Sequence, residues 1–509
     1  MTEPNPGRRL PLLPKGFHVF RAGRTARRAA AGLSAALLLS PAAVPASGLD
    51  APMMGAGSCG PTAADPSAVF WNPAQLSRLD RAGAAPQRPH LLLTGGAAVG
   101  RATYARERLG EYQTPDSLRF KAPIDSSYID ALKTGPSASV GATPVSPLGD
   151  VFISIPVSER FDAGFGLSVP YAAALKFPDD GDQAWQLRQA LIAATFATAA
   201  ASFRVTDRFS VGAGVSYVGG LAELSKLQDL ASLEEFHDAF AKDPIGQAND
   251  FGARAPTQVR ELAAFSRPIS ITRAVSHGAT FNLGLSIQAT DDLLLAAAYQ
   301  HGAHMRYRGD FAIDMSDPFF TQDLASQGLH YKPLVTGTAE LSFWLPRRAS
   351  VGVGYRASSR LRLDGFVQFV TYSDVDAFVV DTQAPGLAQP KLGIPDRLHV
   401  ILPRAWKNVV WCEARGQLQA TGSLSVFAGL GYQSPASPDA TVDVASVDGH
   451  RLIGTFGGSW RVSPKVTLAA DARLQGILPR SVTRSDDDLG NGTYRLFIAT
   501  IGGHLGVEL

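Results

Sequence analysis

Cysteine is nearly missing from this chain, which has only Cys59 and Cys412 among 509 residues. That excludes a disulfide-framed fold and a multi-cysteine metal site. A single bridge between the two is all that an oxidising compartment could form, and both thiols read as structural by default. An excess of either charge is also missing: 47 Lys and Arg stand against 45 Asp and Glu. Without a concentrated basic surface that releases counterions, no nucleic-acid partner is expected. Past the N-terminal region no segment has the roughly 18 uninterrupted apolar residues that a spanning helix requires. Yet 45% of the residues are hydrophobic and 50 are glycine, too apolar and glycine-rich for a disordered chain. The body is therefore either a soluble exported protein or a membrane β-barrel.

Catalytic signatures are lacking as well. No Gly-x-Ser-x-Gly occurs; "GAGSCG" has Ala56 where the first glycine belongs. His301 and His304, three apart on one strand, are expected on opposite faces, which disfavours a shared metal. Asp486, Asp487 and Asp488 with Asn491 lack the spaced ligand set of a calcium loop and read as solvated. No enzymatic activity, metal or cofactor is expected.

What is present begins with a basic leader. Arg8, Arg9, Lys15, Arg21, Arg24, Arg27 and Arg28 precede an apolar stretch from Ala29 to Ala46, and Val44 and Ala46 suit cleavage after Ala46. Residues 1–46 therefore read as a secretory signal peptide. From residue 90 one unit recurs: a polar turn, then alternation of apolar with small or polar residues. It appears at "SERFDAGFGLS" from 158, "TDRFSVGAGVS" from 206, "TDDLLLAAAYQ" from 290, "SSRLRLDGFVQ" from 358, "TGSLSVFAGLG" from 421 and "SPKVTLAADAR" from 463. Each reads as a hairpin turn with its outgoing strand. Phe209, Val211, Ala213, Val215 and Tyr217 share one face; Ser210, Gly212, Gly214 and Ser216 share the other. A soluble sandwich would carry a second apolar core on that second face. Here it carries serine and glycine, and in the sixth instance Asp471 and Arg473, and short turns alternate with long connections, as in outer-membrane barrels. With a first strand near 90–106 and a last near 493–509, the expectation is an all-β, antiparallel transmembrane barrel of about 14 strands over residues 90–509. Such a barrel leaves an open lumen. The turn-rich segment 47–89 is expected to fold into it, with a loose periplasmic leader as the alternative.

Within that segment stands "GAGSCGPTAADPSAVFWNPAQLSRL", a glycine-rich start leading to Asn72, Pro73 and Ala74. It resembles the N-terminal plug of the FadL family (OMPP1/FadL/TodX type), outer-membrane transporters of long-chain fatty acids and aromatic hydrocarbons. "GFGLSVPYAAALKFPDD" resembles that family's third strand, "LPRRASVGVGYRASSRLRLDGFVQFVTYSDVDAF" its eighth and ninth, and "RAWKNVVWCEARGQLQATGSLSVFAGLGYQSPASPD" its tenth and eleventh. The ordered set covers most of the mature chain. Terminal Leu509 departs from the aromatic residue that ends many outer-membrane proteins.

The resemblance implies a monomeric channel for hydrophobic small molecules, in contact with outer-membrane lipid and lipopolysaccharide and inserted by the barrel assembly machinery. Fatty acid is the first expectation for ligand, and aromatic or other hydrocarbons the second; a lipid hydrolase or an adhesive barrel is the alternative of another class. Two long loops, residues 226–270 and 309–335, count third and fourth on the extracellular side. They carry Phe236, Phe240, Leu262 and Phe265, and Phe311, Phe319, Phe320 and Leu324. In the family these loops form a hydrophobic groove; a packed lid is the other reading. Lys176, Arg188, Arg306 and Arg308 are candidate partners for a ligand carboxylate, and equally suit lipopolysaccharide phosphate. Pro170 interrupts a strand inside a closed barrel, where no edge exists to tolerate it, so a bulge or kink is expected. In the family the third strand is kinked and opens the wall sideways; large residues at Gly164 or Gly166 are expected to fill that gap.

Overall fold

Rows of apolar residues at period two, separated alternately by tight turns and long loops, leave a sheet one way to satisfy every backbone group in lipid: closure. In the computed structural model the chain is described at residues 59–79, 88–109, 111–113, 119–121, 135–230, 266–326, 328–390, 394–486 and 488–509. The leader lies outside these residues. Among them no helix is long and apolar enough to cross a membrane.

The chain forms a closed antiparallel barrel of 14 strands in sequence order. They are β1 His90–Arg108, β2 Val145–Pro156, β3 Phe161–Lys176, β4 Gln189–Arg204, β5 Phe209–Asp229 and β6 Ser266–Gln288. Four interrupted strands follow: β7 Leu293–Gln300 and Ala303–Asp314, β8 Leu334–Leu345 and Arg348–Arg356, β9 Leu361–Val370 and Ala377–Gln383, and β10 Arg397–Pro403 and Val409–Gln419. The last are β11 Leu424–Gln433, β12 Arg451–Ser463, β13 Val466–Ile477 and β14 Gly492–Glu508. β14 pairs with β1 from His90↔Glu508 to Arg106↔Gly492, which closes the wall.

The two faces invert the habit of soluble proteins. Val215, Leu283, Val351, Val367, Leu430 and Ile501 are exposed on the outer face, while Ser202, Ser216, Asn282, Glu413, Asp471 and Arg473 are buried on the inner one. Cys412 alternates with inward Glu413 and so faces outward, whereas Cys59 lies within the lumen; both thiols are free. The loops are shorter than the sequence suggested. β5 runs to Asp229 and β6 starts at Ser266, while β7 runs to Asp314 and β8 starts at Leu334. The alternation of Tyr307, Phe311 and Ile313 continues the ladder beyond residue 309, where the loop was expected to begin.

Candidate functional site

The segment Cys59–Leu79 is small and turn-rich because it must fit a wall rather than make one. A helical turn, Ala68–Trp71, leads through Asn72 into a 3-10 turn, Pro73–Arg78. Pro73 takes the first helical position, where its missing N–H costs nothing, and Asn72 caps the turn by accepting from the Ala74 amide at 3.1 Å. The Asn72 side chain is fully buried and donates to the Pro61 carbonyl at 2.8 Å and to the Leu285 carbonyl of β6 at 3.1 Å. Opposite it the wall is cut away. Gly212 of β5 and Gly284 of β6 are cross-strand partners. A Cβ at Gly212 would stand 2.4 Å from the Ala74 nitrogen, and one at Gly284 would stand 1.9 Å from Asn72 Oδ1. Only glycine leaves this notch open. Asn282 donates to the carbonyls of Val69 and Phe70 at 2.9 and 3.0 Å, and Ser77 meets Ser210 at 2.8 Å. Across the lumen, the Cys59 thiol donates to Glu413 of β10 at 3.5 Å, and Glu413 pairs with Arg473 of β13 at 2.8 Å. Burial, reinforced by the Glu413 charge, pushes the Cys59 thiol up to about 12.

Above this segment runs a column of buried apolar side chains. It starts in the fourth extracellular loop, residues 315–333, with Met315, Phe320, Leu324 and Tyr331, continues through Phe311, Ile313 and Leu398, then Met305, Tyr307 and Phe343, and ends on Phe196, Tyr171 and Phe70. Tyr307 and Phe343 stack at 5.5 Å; Phe196 lies 5.8 Å from Tyr171 and 6.2 Å from Phe70. A small cavity of about 30 Å³ lies among Ile271, Phe311, Ile313 and Leu398 within the column. Below the segment, facing the short-turn end, a cavity of about 590 Å³ is lined by Arg362, Asp364, Glu413, Arg415, Arg461 and His504 among others. An apolar molecule passing there would strip water from charges without replacing it.

The column ends where the wall is discontinuous. β2 and β3 pair from Pro156↔Asp162 to Val151↔Leu167 and, among the described residues, no further. β2 stays paired with β1 up to Val99↔Val145. On the other side, β3 keeps β4, but Ser168 faces Phe196 and Tyr171 faces Ala194, so Val169 and Pro170 together oppose Thr195. This is a bulge, placed where proline has no amide to give the ladder. Beyond it Tyr171, Ala172, Ala173, Ala174 and Leu175 are all buried, and the alternation of the strand's first half is lost. Pro147 on β2 occupies the facing free edge.

The anticipated residues fall unevenly on this geometry. Phe311, Phe320 and Leu324 belong to the column, and Phe319 packs against it. Phe236, Phe240, Leu262 and Phe265 lie outside the described residues. Gly164 and Gly166 do not border the gap. They sit in the paired part of β3, where a Cβ would meet Val69 at 2.5 Å or Phe152 at 2.6 Å, so bulk there presses on the lumen segment instead of filling an opening. The four candidate cations do not line the column. Arg306 and Arg308 alternate with inward Met305 and Tyr307 and face outward, Arg308 pairing with Glu340 at 2.6 Å. Lys176 is exposed, and Arg188 donates to the Asp179 carbonyl at 2.7 Å. Two buried cations do reach the column, one at each end: under the fourth loop Arg267 lies 5.7 Å from the Phe320 ring and pairs with Asp317 at 3.5 Å, and at the lower end stands Arg348. It is buried, its Nε donates to the Tyr171 hydroxyl at 3.2 Å, and its guanidinium lies 4.7 Å from that ring. Its inward position was readable from the outward run Val351, Val353 and Tyr355. His301 and His304 both meet outward aromatics, Phe281 at 4.9 Å and Trp344 at 5.0 Å, because the break at His301–Gly302 interrupts the alternation.

A closed barrel with an apolar exterior and an apolar column inside defines an outer-membrane transport channel for hydrophobic compounds. Residues 30–496 match the model of the family described as outer membrane protein transport protein (OMPP1/FadL/TodX), and the chain belongs to that family. Among solved structures, a Pseudomonas aeruginosa FadL homologue is 19% identical with a TM-score of 0.68, covering 90% of this chain and 99% of its own. The Ralstonia pickettii toluene transporter TbuX is 16% identical with a TM-score of 0.57, covering 92% and 98%. The Pseudomonas putida toluene transporter TodX is 14% identical with a TM-score of 0.58, covering 89% and 95%. No curated protein matches the chain.

Proposed function

We propose that this channel carries hydrophobic molecules passively across the outer membrane, long-chain fatty acids first among them, and releases them sideways through the wall between β2 and β3. The segment Cys59–Leu79 acts as the plug that blocks the direct route to the periplasm. The observation that carries this reading is the apolar column that begins under the fourth loop and ends at Tyr171, beside the point where the β2–β3 ladder stops. Sliding from column to bilayer spares the ligand re-exposure to water, worth roughly 0.8 kcal/mol per methylene. The charged cavity beneath the plug offers no such path.

Arg348 favours a carboxylate over a plain hydrocarbon, since it places a guanidinium where the column turns toward the gap. The hydrocarbon reading is kept alive by the apolar lining elsewhere, which discriminates poorly between ligands without polar groups. Uptake of a labelled long-chain fatty acid and of labelled toluene, by cells lacking other transporters of either, separates the two. Arg348→Met is expected to reduce fatty-acid uptake about tenfold, the value of one charged hydrogen bond, and to spare toluene. Loss of both to the same degree contradicts a carboxylate role, and uptake of neither by the parent protein contradicts the transport reading.

A further inference from the structure

We propose that Asp150 is the positioning residue that fixes the spacing of β2 and β3 at the opening in the wall; the inference rests on the lateral-exit reading above. Asp150 belongs to β2 and stands one residue beyond the last β2–β3 pair, Val151↔Leu167. Its side chain is buried within a membrane-spanning strand, and an ionisable residue so placed usually serves function rather than packing.

Its contacts bridge three strands. Oδ2 accepts from the Thr94 hydroxyl of β1 at 3.0 Å, and that hydroxyl accepts from the Asp150 amide at 2.9 Å. Thr94 and Asp150 are cross-strand partners, so the carboxylate is anchored on the side away from the gap. Oδ1 accepts from the Val169 amide of β3 at 3.4 Å. That amide is past the end of the ladder, where an unsatisfied donor facing lipid is costly. In a regular sheet a β2 carbonyl would accept it and draw the strands to about 4.8 Å. Routing the bond through a side chain satisfies the donor while keeping the backbones further apart. Reclosure is opposed on both edges, since Pro170 follows Val169 and Pro147 lies on β2, and neither has an amide proton to give. The carboxylate ends the ladder and the prolines keep it from resuming.

The experiment compares Asp150→Ala with Asp150→Asn. Asparagine keeps an oxygen for the Val169 amide and a donor for Thr94; alanine keeps neither. In a Cys59→Ser, Cys412→Ser background, spin labels are placed at Val145→Cys and Val169→Cys, on the two sides of the gap. Dipolar broadening is read in detergent, with folding checked by heat-modifiable gel mobility. Asp150→Ala is expected to change the broadening, and Asp150→Asn to retain the parental spectrum. In parallel, the maximal uptake rate of a labelled long-chain fatty acid is expected to fall about tenfold in Asp150→Ala, with the half-saturating concentration unchanged and Asp150→Asn near the parental rate. A parental spectrum in folded Asp150→Ala overturns the proposal, as does an Asp150→Asn variant that behaves like the alanine. If Asp150→Ala does not fold, Thr94→Val, which loosens the same carboxylate, is expected to change the broadening; no change there overturns the proposal. The spectral arm needs no transport, so a parent that moves no fatty acid refutes the transport reading and leaves the role of Asp150 to be decided by the labels.

Discussion

Replacing Gly284 by alanine should dislodge the N-terminal plug without unfolding the barrel. The added Cβ would lie 1.9 Å from Asn72 Oδ1 and 3.0 Å from the Ala74 nitrogen, against the 3.4 Å at which ordinary contact begins. Asn72 must therefore retreat by about 1.5 Å, beyond what a hydrogen bond tolerates. Three bonds go with it: to the Pro61 carbonyl at 2.8 Å, to the Leu285 carbonyl at 3.1 Å and from the Ala74 amide at 3.1 Å. Of these only the bond to the Leu285 carbonyl runs from plug to wall, worth about 1 kcal/mol; the overlap of the new Cβ with Asn72 adds about 1–3 kcal/mol, so plug docking weakens by about 2–4 kcal/mol, or about thirtyfold or more in its equilibrium. The ladder on either side of Gly284 keeps its backbone bonds, so the wall survives. Cys59 reports the result. Docked, its thiol is pushed up to about 12 by burial and by Glu413, which leaves little thiolate for maleimide to attack. In a Cys412→Ser background, Gly284→Ala is expected to speed labelling of Cys59 at least tenfold while the barrel keeps its heat-modifiable mobility. Labelling at the parental rate in a folded barrel refutes the reasoning that the glycine notch seats the plug.

The same thiol makes plug docking pH-dependent. Because its value rises from 9.0 free to about 12 docked, the protonated form is favoured in the docked state. Its contribution is therefore full below pH 9 and lost as pH climbs toward 12. Release of the plug, followed by tryptophan fluorescence, should shift through that window in the parent and stay flat in Cys59→Ala. Arg473→Met should leave Glu413 buried and unpaired, both side chains being within the lumen at 6% and 4% exposure. The expected loss is about 3–5 kcal/mol, read as a lowered denaturation midpoint in detergent; an unchanged midpoint contradicts the pairing.

Much of the barrel was legible because its physics is local. Period-two alternation put Val211 and Val215 on one face and Ser210 and Ser216 on the other, and six tight turns fixed how the strands follow one another. Register was harder. Nothing in the alternation of β7 reveals the break after Gln300, which turns both His301 and His304 outward. The gap was half readable. Pro170 signalled an irregularity, but its consequence depends on Pro147 and Asp150 in the neighbouring strand, and only adjacency of β2 and β3 brings the three together. Gly164 and Gly166 looked like part of the kink because they precede Pro170, whereas their neighbour is Val69, more than ninety residues earlier in the chain. Cation candidates were sought at strand ends on the strength of charge alone; Arg348 was available to the alternation rule, and the outward-facing Arg306 and Arg308 were excluded by it.

The most direct test of lateral release is deletion of Pro170. Removing the extra residue leaves Val169 alone opposite Thr195 and restores a regular β3, whose amides can again pair with β2. The variant is purified as a folded, heat-modifiable barrel, and its uptake of a labelled long-chain fatty acid is measured beside that of the parent. The account predicts that uptake falls to the level of cells without the channel, while fatty-acid binding to the purified protein persists. Uptake at the parental rate in the folded deletion variant would contradict release through the wall.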